Sequence, residues 1–157
     1  ICKVYNRFNN FTIKIMKTLK DKILEELTID SSRLLEESFD QIKKYLRITP
    51  AGAIQLLNVE KLTGEEQLIL YMIGKTYAKE AGLVVSDAVS NAEFMAELTM
   101  PKGSLLPALK KLRDAHKVHQ IKTEGGERGS VAHYIALPRI KAIVSEIAGK
   151  MTRPLCT

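Results

Sequence analysis

Leu98-Thr99-Met100-Pro101-Lys102-Gly103-Ser104-Leu105-Leu106-Pro107-Ala108-Leu109-Lys110-Lys111-Leu112-Arg113-Asp114 is the stretch that decides how this chain is read. Leu105, Ala108, Leu109 and Leu112 recur at the three-to-four spacing of an apolar helix face, and the lysines fall on the other side. Pro101 suits the first position of that helix, where a missing amide costs nothing. Upstream, Ser90-Asn91-Ala92-Glu93 reads as a capping box opening a shorter helix to about Leu98, with Thr99-Met100 as the turn. Downstream, Val118 to Thr123 and Ser130 to Leu137 read as two strands of a hairpin joined through Glu124-Gly125-Gly126-Glu127-Arg128-Gly129. The local order is therefore helix, turn, basic helix, glycine-rich hairpin.

Outward from this centre, Thr63-Gly64-Glu65-Glu66 is another capping box, and it opens a strong helix over 64 to 81 that Gly82 ends. Leu46-Arg47-Ile48-Thr49 and Ala53-Ile54-Gln55-Leu56-Leu57 alternate around Pro50-Ala51-Gly52 and predict a β-hairpin. Two amphipathic helices precede it. One covers 17 to 28 with Leu19, Ile23, Leu24 and Leu27 on its stripe, and the other covers 32 to 45 with Leu34, Leu35, Phe39, Ile42 and Tyr45. Pro138-Arg139 starts a last helix carrying Ile140, Ile143, Val144 and Ile147. The expected class is α+β and mostly helical. The organisation is an extension (1 to 15), N-terminal helices and hairpin (16 to 62), a main domain (63 to 150) and a tail (151 to 157). Residues 1 to 15 carry Lys3, Arg7 and Lys14 without an acid but lack the continuous apolar core of a secretory signal, and Met16 reads as a natural start.

The 157 residues are 45% hydrophobic and 27% charged, with a mean hydropathy of −0.07, the balance of a globular chain rather than a disordered one. No apolar run approaches the roughly 20 residues of a membrane helix, so no membrane partner is expected. Cys2 and Cys156 stand at opposite ends without metal-ligand spacing and read as incidental, which favours a cytoplasmic setting. Net charge is +6, and its placement is uneven. Residues 101 to 157 hold eleven Lys or Arg against four Asp or Glu, whereas residues 1 to 100 hold thirteen against fourteen. Such an asymmetry points to a polyanion on one side of the molecule.

Residues 63 to 137 resemble the winged helix-turn-helix domains of bacterial and archaeal transcription regulators. The phrase Ser90-Asn91-Ala92-Glu93-Phe94-Met95-Ala96-Glu97-Leu98 is similar to their second helix. The phrase from Lys102 to Leu112 is similar to their recognition helix, and the glycine-rich hairpin to their wing. The resemblance implies a double-stranded DNA-binding protein, a transcriptional regulator or DNA-maintenance factor. Two positions depart from the pattern. Ala115-His116-Lys117 stands where a glycine usually lets the chain turn left-handed, and Leu106 and Pro107 replace the polar residues that usually meet base edges. Neither of those two side chains can form the bidentate hydrogen bonds that tell base pairs apart, so low sequence specificity is expected.

On this reading the DNA-contacting residues are Lys102, Gly103, Ser104, Lys110, Lys111 and Arg113 of the basic helix, with Lys122 and Arg128 of the wing. Lys102, Ser104 and the helix N-terminus suit a phosphate through charge, hydroxyl and free amides. Each lysine taken alone suits a solvated face equally well. The alternative function is a protein-interaction module in which Leu106 and Pro107 are partner contacts. The amphipathic stripes at 17 to 45 and 139 to 150 predict a homodimer, whose twofold axis would set two recognition helices one duplex turn apart. His119 and His133 are placed to face each other across the hairpin strands, with His116 the sole further imidazole. Cross-strand packing or a pH-sensitive wing accounts for them better than a metal, and neither metal nor cofactor is expected. No phosphate-cradling loop with a following lysine, paired carboxylates or nucleophile–base arrangement stands out, so no enzymatic activity is expected.

Overall fold

The structure, a computed structural model, describes residues 18–124 and 130–152. Cys2, Met16, Gly125, Gly126, Arg128, Gly129 and Cys156, all of which figured in the sequence reading, lie outside them. The chain divides into two compact units, with the boundary after Asp30.

The described part of the first unit is short. Helix α1 (Leu19–Lys22) is opened by a capping box in which the Asp21 amide donates to Thr18 Oγ1 and the Thr18 amide donates to Asp21 Oδ2. The helix then widens into one π-helical stretch, Ile23–Leu27, instead of continuing as the uniform α-helix that the periodicity predicts. Leu19, Leu24, Leu27 and Ile29 of this unit are exposed.

The second unit starts with α2 (Ser31–Ile42), whose Leu35, Ser38 and Ile42 are buried. Its main partner is the last helix, α6 (Leu137–Met151), which buries Ile140, Ile143, Val144 and Ile147. The two apolar stripes thus cover one another within one chain, and Lys141 and Glu37 bridge the contact at 2.8 Å. Strands β1 (Leu46–Ile48) and β2 (Ile54–Leu56) pair antiparallel around Gly52, whose φ of 85° is one that glycine adopts without strain. A 3-10 turn, Val59–Lys61, follows.

Helix α3 (Gly64–Glu80) is the hub. Its capping box joins Thr63 and Glu66, and Leu68, Leu70, Met72 and Ile73 have no exposed surface. Its middle, Leu68 to Gly74, is buried on every side, as suits a segment that runs inside a domain. On one side β2 comes so close that a Cβ on Gly74 would lie 2.8 Å from Ile54 Cγ2. On the other side α3 meets α5.

The rest of the chain forms, in order, β3 (Val89–Ser90), α4 (Asn91–Glu97), α5 (Lys102–Asp114), β4 (His119–Lys122) and β5 (Val131–Tyr134). The three strands form one antiparallel sheet in the order β3-β5-β4. Three local expectations are corrected. Pro101 is the N-cap of α5, in extended conformation, and not its first helical residue. Ser90 caps α4 by accepting from the Glu93 amide, but the reciprocal half of the box is missing, because the Glu93 carboxylate is taken by the Tyr71 hydroxyl and Lys75, each at 3.0 Å. His119 and His133 are not opposite one another, because Gln120 pairs with His133 and His119 with Tyr134. With a side-chain period of two, that one-residue offset sends the imidazoles to opposite faces of the sheet.

Candidate nucleic-acid interface

Helix α5 turns Leu105, Leu109 and Leu112 into the core, so its remaining faces are what it offers a partner. Lys102, Leu106 and Lys110 follow at intervals of four residues and share one outward stripe, which Arg113 continues. Lys102, Gly103, Ser104 and Lys110 are exposed, and Arg113 is half-buried. At the start of the helix, the Ser104 and Leu105 amides both donate to the Pro101 carbonyl. That leaves the Lys102 and Gly103 amides without a backbone acceptor among the described residues. The helix runs unbroken through Pro107, which cannot supply the amide hydrogen bond to the Gly103 carbonyl.

The turns at each end of α5 carry unusual backbone. Thr99, between α4 and α5, has φ 51°, and His116, just after α5, has φ 55°. His116 stands at the left-handed position of a helix-closing turn, in which the Lys117 amide donates to the Leu112 carbonyl at 3.0 Å. The chain thus turns left-handed at the place where the resemblance leads one to expect glycine.

Ion pairing separates the lysines. Lys111 lies toward α3 and meets Glu65 Oε1 at 2.7 Å. Lys43, Lys75, Lys79, Lys117, Lys141 and Lys150 likewise have carboxylate partners. Lys102 and Lys110 of α5, and Lys122 at the end of β4, have none within 4 Å among the described residues, and all three are exposed. Of the expected contact residues, the structure therefore puts Lys102 and Lys110 on one stripe with Arg113 and sets Lys111 apart. Arg128 lies outside the described residues.

Between α5 and the sheet runs an open groove of about 450 Å³. Leu106, Pro107, Lys110 and Arg113 form its α5 wall, and Gln120, Val131 and His133 its sheet wall. Leu106 is 41% exposed, so an apolar side chain interrupts the basic stripe at its middle. At the base, His133 is 1% exposed and packs against Phe94. In the tautomer the geometry requires, its Nε2–H donates to Asn91 Oδ1 at 3.0 Å, and Nδ1 has no hydrogen-bond partner. Burial, and then the Arg113 charge, push its pKa down to about 4, so the ring is neutral at pH 7. His119 is exposed and stacks on Tyr134 at 5.4 Å. Among the described residues no group of three or more His, Cys, Asp or Glu is arranged to hold a metal ion.

Sequence reasoning missed the pairing of His133 with Asn91 and the engagement of Glu93, because each joins residues far apart in the chain. Among the described residues no helix is long and apolar enough to cross a membrane. No protein-family model matches the chain, nor does any curated protein or solved structure.

Proposed function

We propose that this chain binds double-stranded DNA with low sequence specificity, α5 lying in the major groove and the β4–β5 hairpin beside it, in the manner of a winged helix-turn-helix. The order α3, β3, α4, α5, β4, β5 and the β3-β5-β4 sheet support this reading. The observation that carries it is that Lys102 and Lys110 on α5 and Lys122 on β4 are exposed and have no acidic partner among the described residues, a state they share with Lys44, Lys61 and Arg139 elsewhere in the second unit but present here on the helix and hairpin of the proposed docking face. A lysine paired within its own chain gives up part of its attraction for phosphate, whereas an unpaired one keeps it and releases counterions on binding. The two unpaired amides at the α5 N-terminus add a phosphate-facing dipole end. Regulation of transcription or maintenance of DNA, in the cytoplasm, would employ such a surface, with no catalytic step.

The test is fluorescence-anisotropy binding of the full chain to a random-sequence duplex across a salt series. Submicromolar affinity at low salt that collapses with a steep log–log slope is expected, and no binding at low salt overturns the proposal. A second reading, a protein-interaction module, is favoured by one observation, the exposure of Leu106 in the middle of the basic stripe. A homodimer is part of the proposal, supported by the exposed Leu19, Leu24 and Leu27 of the first unit and Phe39 of α2. Light scattering of the purified chain at micromolar concentration checks it, and a monomer mass refutes it.

A further inference from the structure

The α5 stripe places an apolar side chain where a reader of base edges stands. Leu106 has Lys102 one turn before it and Lys110 one turn after it, and exposed Pro107 is its neighbour. On the proposed docking, on which this inference rests, the two lysines go to phosphates and Leu106 is the side chain left facing the base edges between them. It has no donor or acceptor. Against guanine, adenine or cytosine it would strip water from polar edge atoms and return nothing. One apolar group is exposed on the major-groove edge of an ordinary base pair, the 5-methyl of thymine. Around Leu106 the surface stays receptive to such a group, since Pro107 and Val131 line the same groove.

We propose that Leu106, supported by Pro107, is a specificity-determining residue that recognises the 5-methyl group of pyrimidines, so that the preferred ligand is duplex DNA bearing thymine or 5-methylcytosine at the contacted step. Discrimination comes from burial of a methyl group and not from hydrogen bonding. It is modest, about fourfold in affinity for each methyl fully buried. That scale fits a protein that holds DNA mainly through phosphates.

The experiment uses the full chain and one mixed-sequence duplex made in three forms: natural, with every thymine replaced by uracil, and with every cytosine replaced by 5-methylcytosine. Backbone charge and hydrogen-bonding edges are the same in all three, and only methyl groups are removed or added. Anisotropy titrations at low salt should show about fourfold weaker binding of the uracil duplex and tighter binding of the methylcytosine duplex. Leu106→Ala should bind all three alike, and Leu106→Met, which keeps the apolar reach, should restore the difference. Both variants leave Leu105, Leu109 and Leu112 in the core, and circular dichroism verifies their folding. Equal binding of the three forms by the unmodified chain overturns this proposal and leaves DNA binding standing. Unchanged discrimination in Leu106→Ala overturns the assignment to Leu106. Failure to bind any form overturns the DNA-binding reading itself.

Discussion

Lys110→Ala and Lys111→Ala change neighbouring residues of one helix by the same chemistry, and they should behave differently toward DNA. Lys110 is exposed and without an acidic partner among the described residues, whereas Lys111 sits 2.7 Å from the Glu65 carboxylate. Each neutralised phosphate contributes about −0.9 to the slope of log affinity against log salt, so Lys102, Lys110 and Lys122 together account for about −2.7. Between about 50 and 200 mM salt that share alone lowers affinity about 40-fold. Lys110→Ala should bring this share to about −1.8 and the loss to about 12-fold. Lys111→Ala should move the slope by clearly less, because its charge is already offset by Glu65, and should cost at most about 1 kcal/mol of stability as an exposed ion pair. The assay is anisotropy of a labelled random duplex at several salt concentrations, with circular dichroism to verify folding. A Lys110→Ala slope equal to that of the unmodified chain, or a Lys111→Ala slope reduced as much as that of Lys110→Ala, would refute the reasoning. Reversal of charge at Lys110 alone is the cleaner weakening variant, since a glutamate at 111 would oppose Glu65 and confuse lost binding with lost folding.

Three further outcomes concern stability. Gly74→Ala gains about 1 kcal/mol of helix propensity but drives a Cβ to 2.8 Å from the stiff Ile54 Cγ2, where overpacking costs about 1–3 kcal/mol. The urea midpoint should fall, and Ile54→Ala should remove the penalty in a double-mutant cycle; a rise in midpoint for Gly74→Ala alone contradicts the close approach. Thr99→Gly and His116→Gly relieve left-handed backbone and should each stabilise by about 1 kcal/mol, Thr99 by more because it is β-branched. Thermal melts that drop for both would exclude those conformations. His133, with its pKa pushed down to about 4 in the fold, binds fewer protons there than when unfolded, at an ordinary value near 6.5. Stability should therefore be complete above about pH 6.5 and fall toward pH 4 by at most about 1.4 kcal/mol per unit. His133→Gln should flatten that dependence in denaturation curves taken at several pH values, and an unchanged slope would assign it to other groups.

What was legible in the sequence was local. The box formed by Thr63 and Glu66 and the α5 face of Leu105, Leu109 and Leu112 follow from spacing, because capping and amphipathicity are settled within a turn or two. The register of β4 on β5 was not legible, since the Glu124–Gly129 linker permits either offset; burial of His133 beside Phe94 is a tertiary fact. The half-formed box at Ser90 has the same origin. Glu93 is equally able to reach back to its own cap, and Tyr71 and Lys75 of another helix hold it instead.

The same distinction governs the candidate interface. The excess of basic residues after position 100 is a property of the sequence, and folding redistributes it. Lys111, Lys141 and Lys150 are met by Glu65, Glu37 and Glu66, acids from the part of the chain with no excess, and Lys117 is met by Glu146. A count of charges therefore overstates the attraction for a polyanion. The cations that matter are those the fold leaves unmatched, and on α5 and β4 the exposed ones are Lys102, Lys110 and Lys122, with half-buried Arg113 beside them. Because Lys110 and Lys111 are adjacent in the chain and alike in chemistry, only the packing of α5 against α3 separates them. If their salt slopes prove equal, it is the overall charge and not its placement by the fold that attracts DNA.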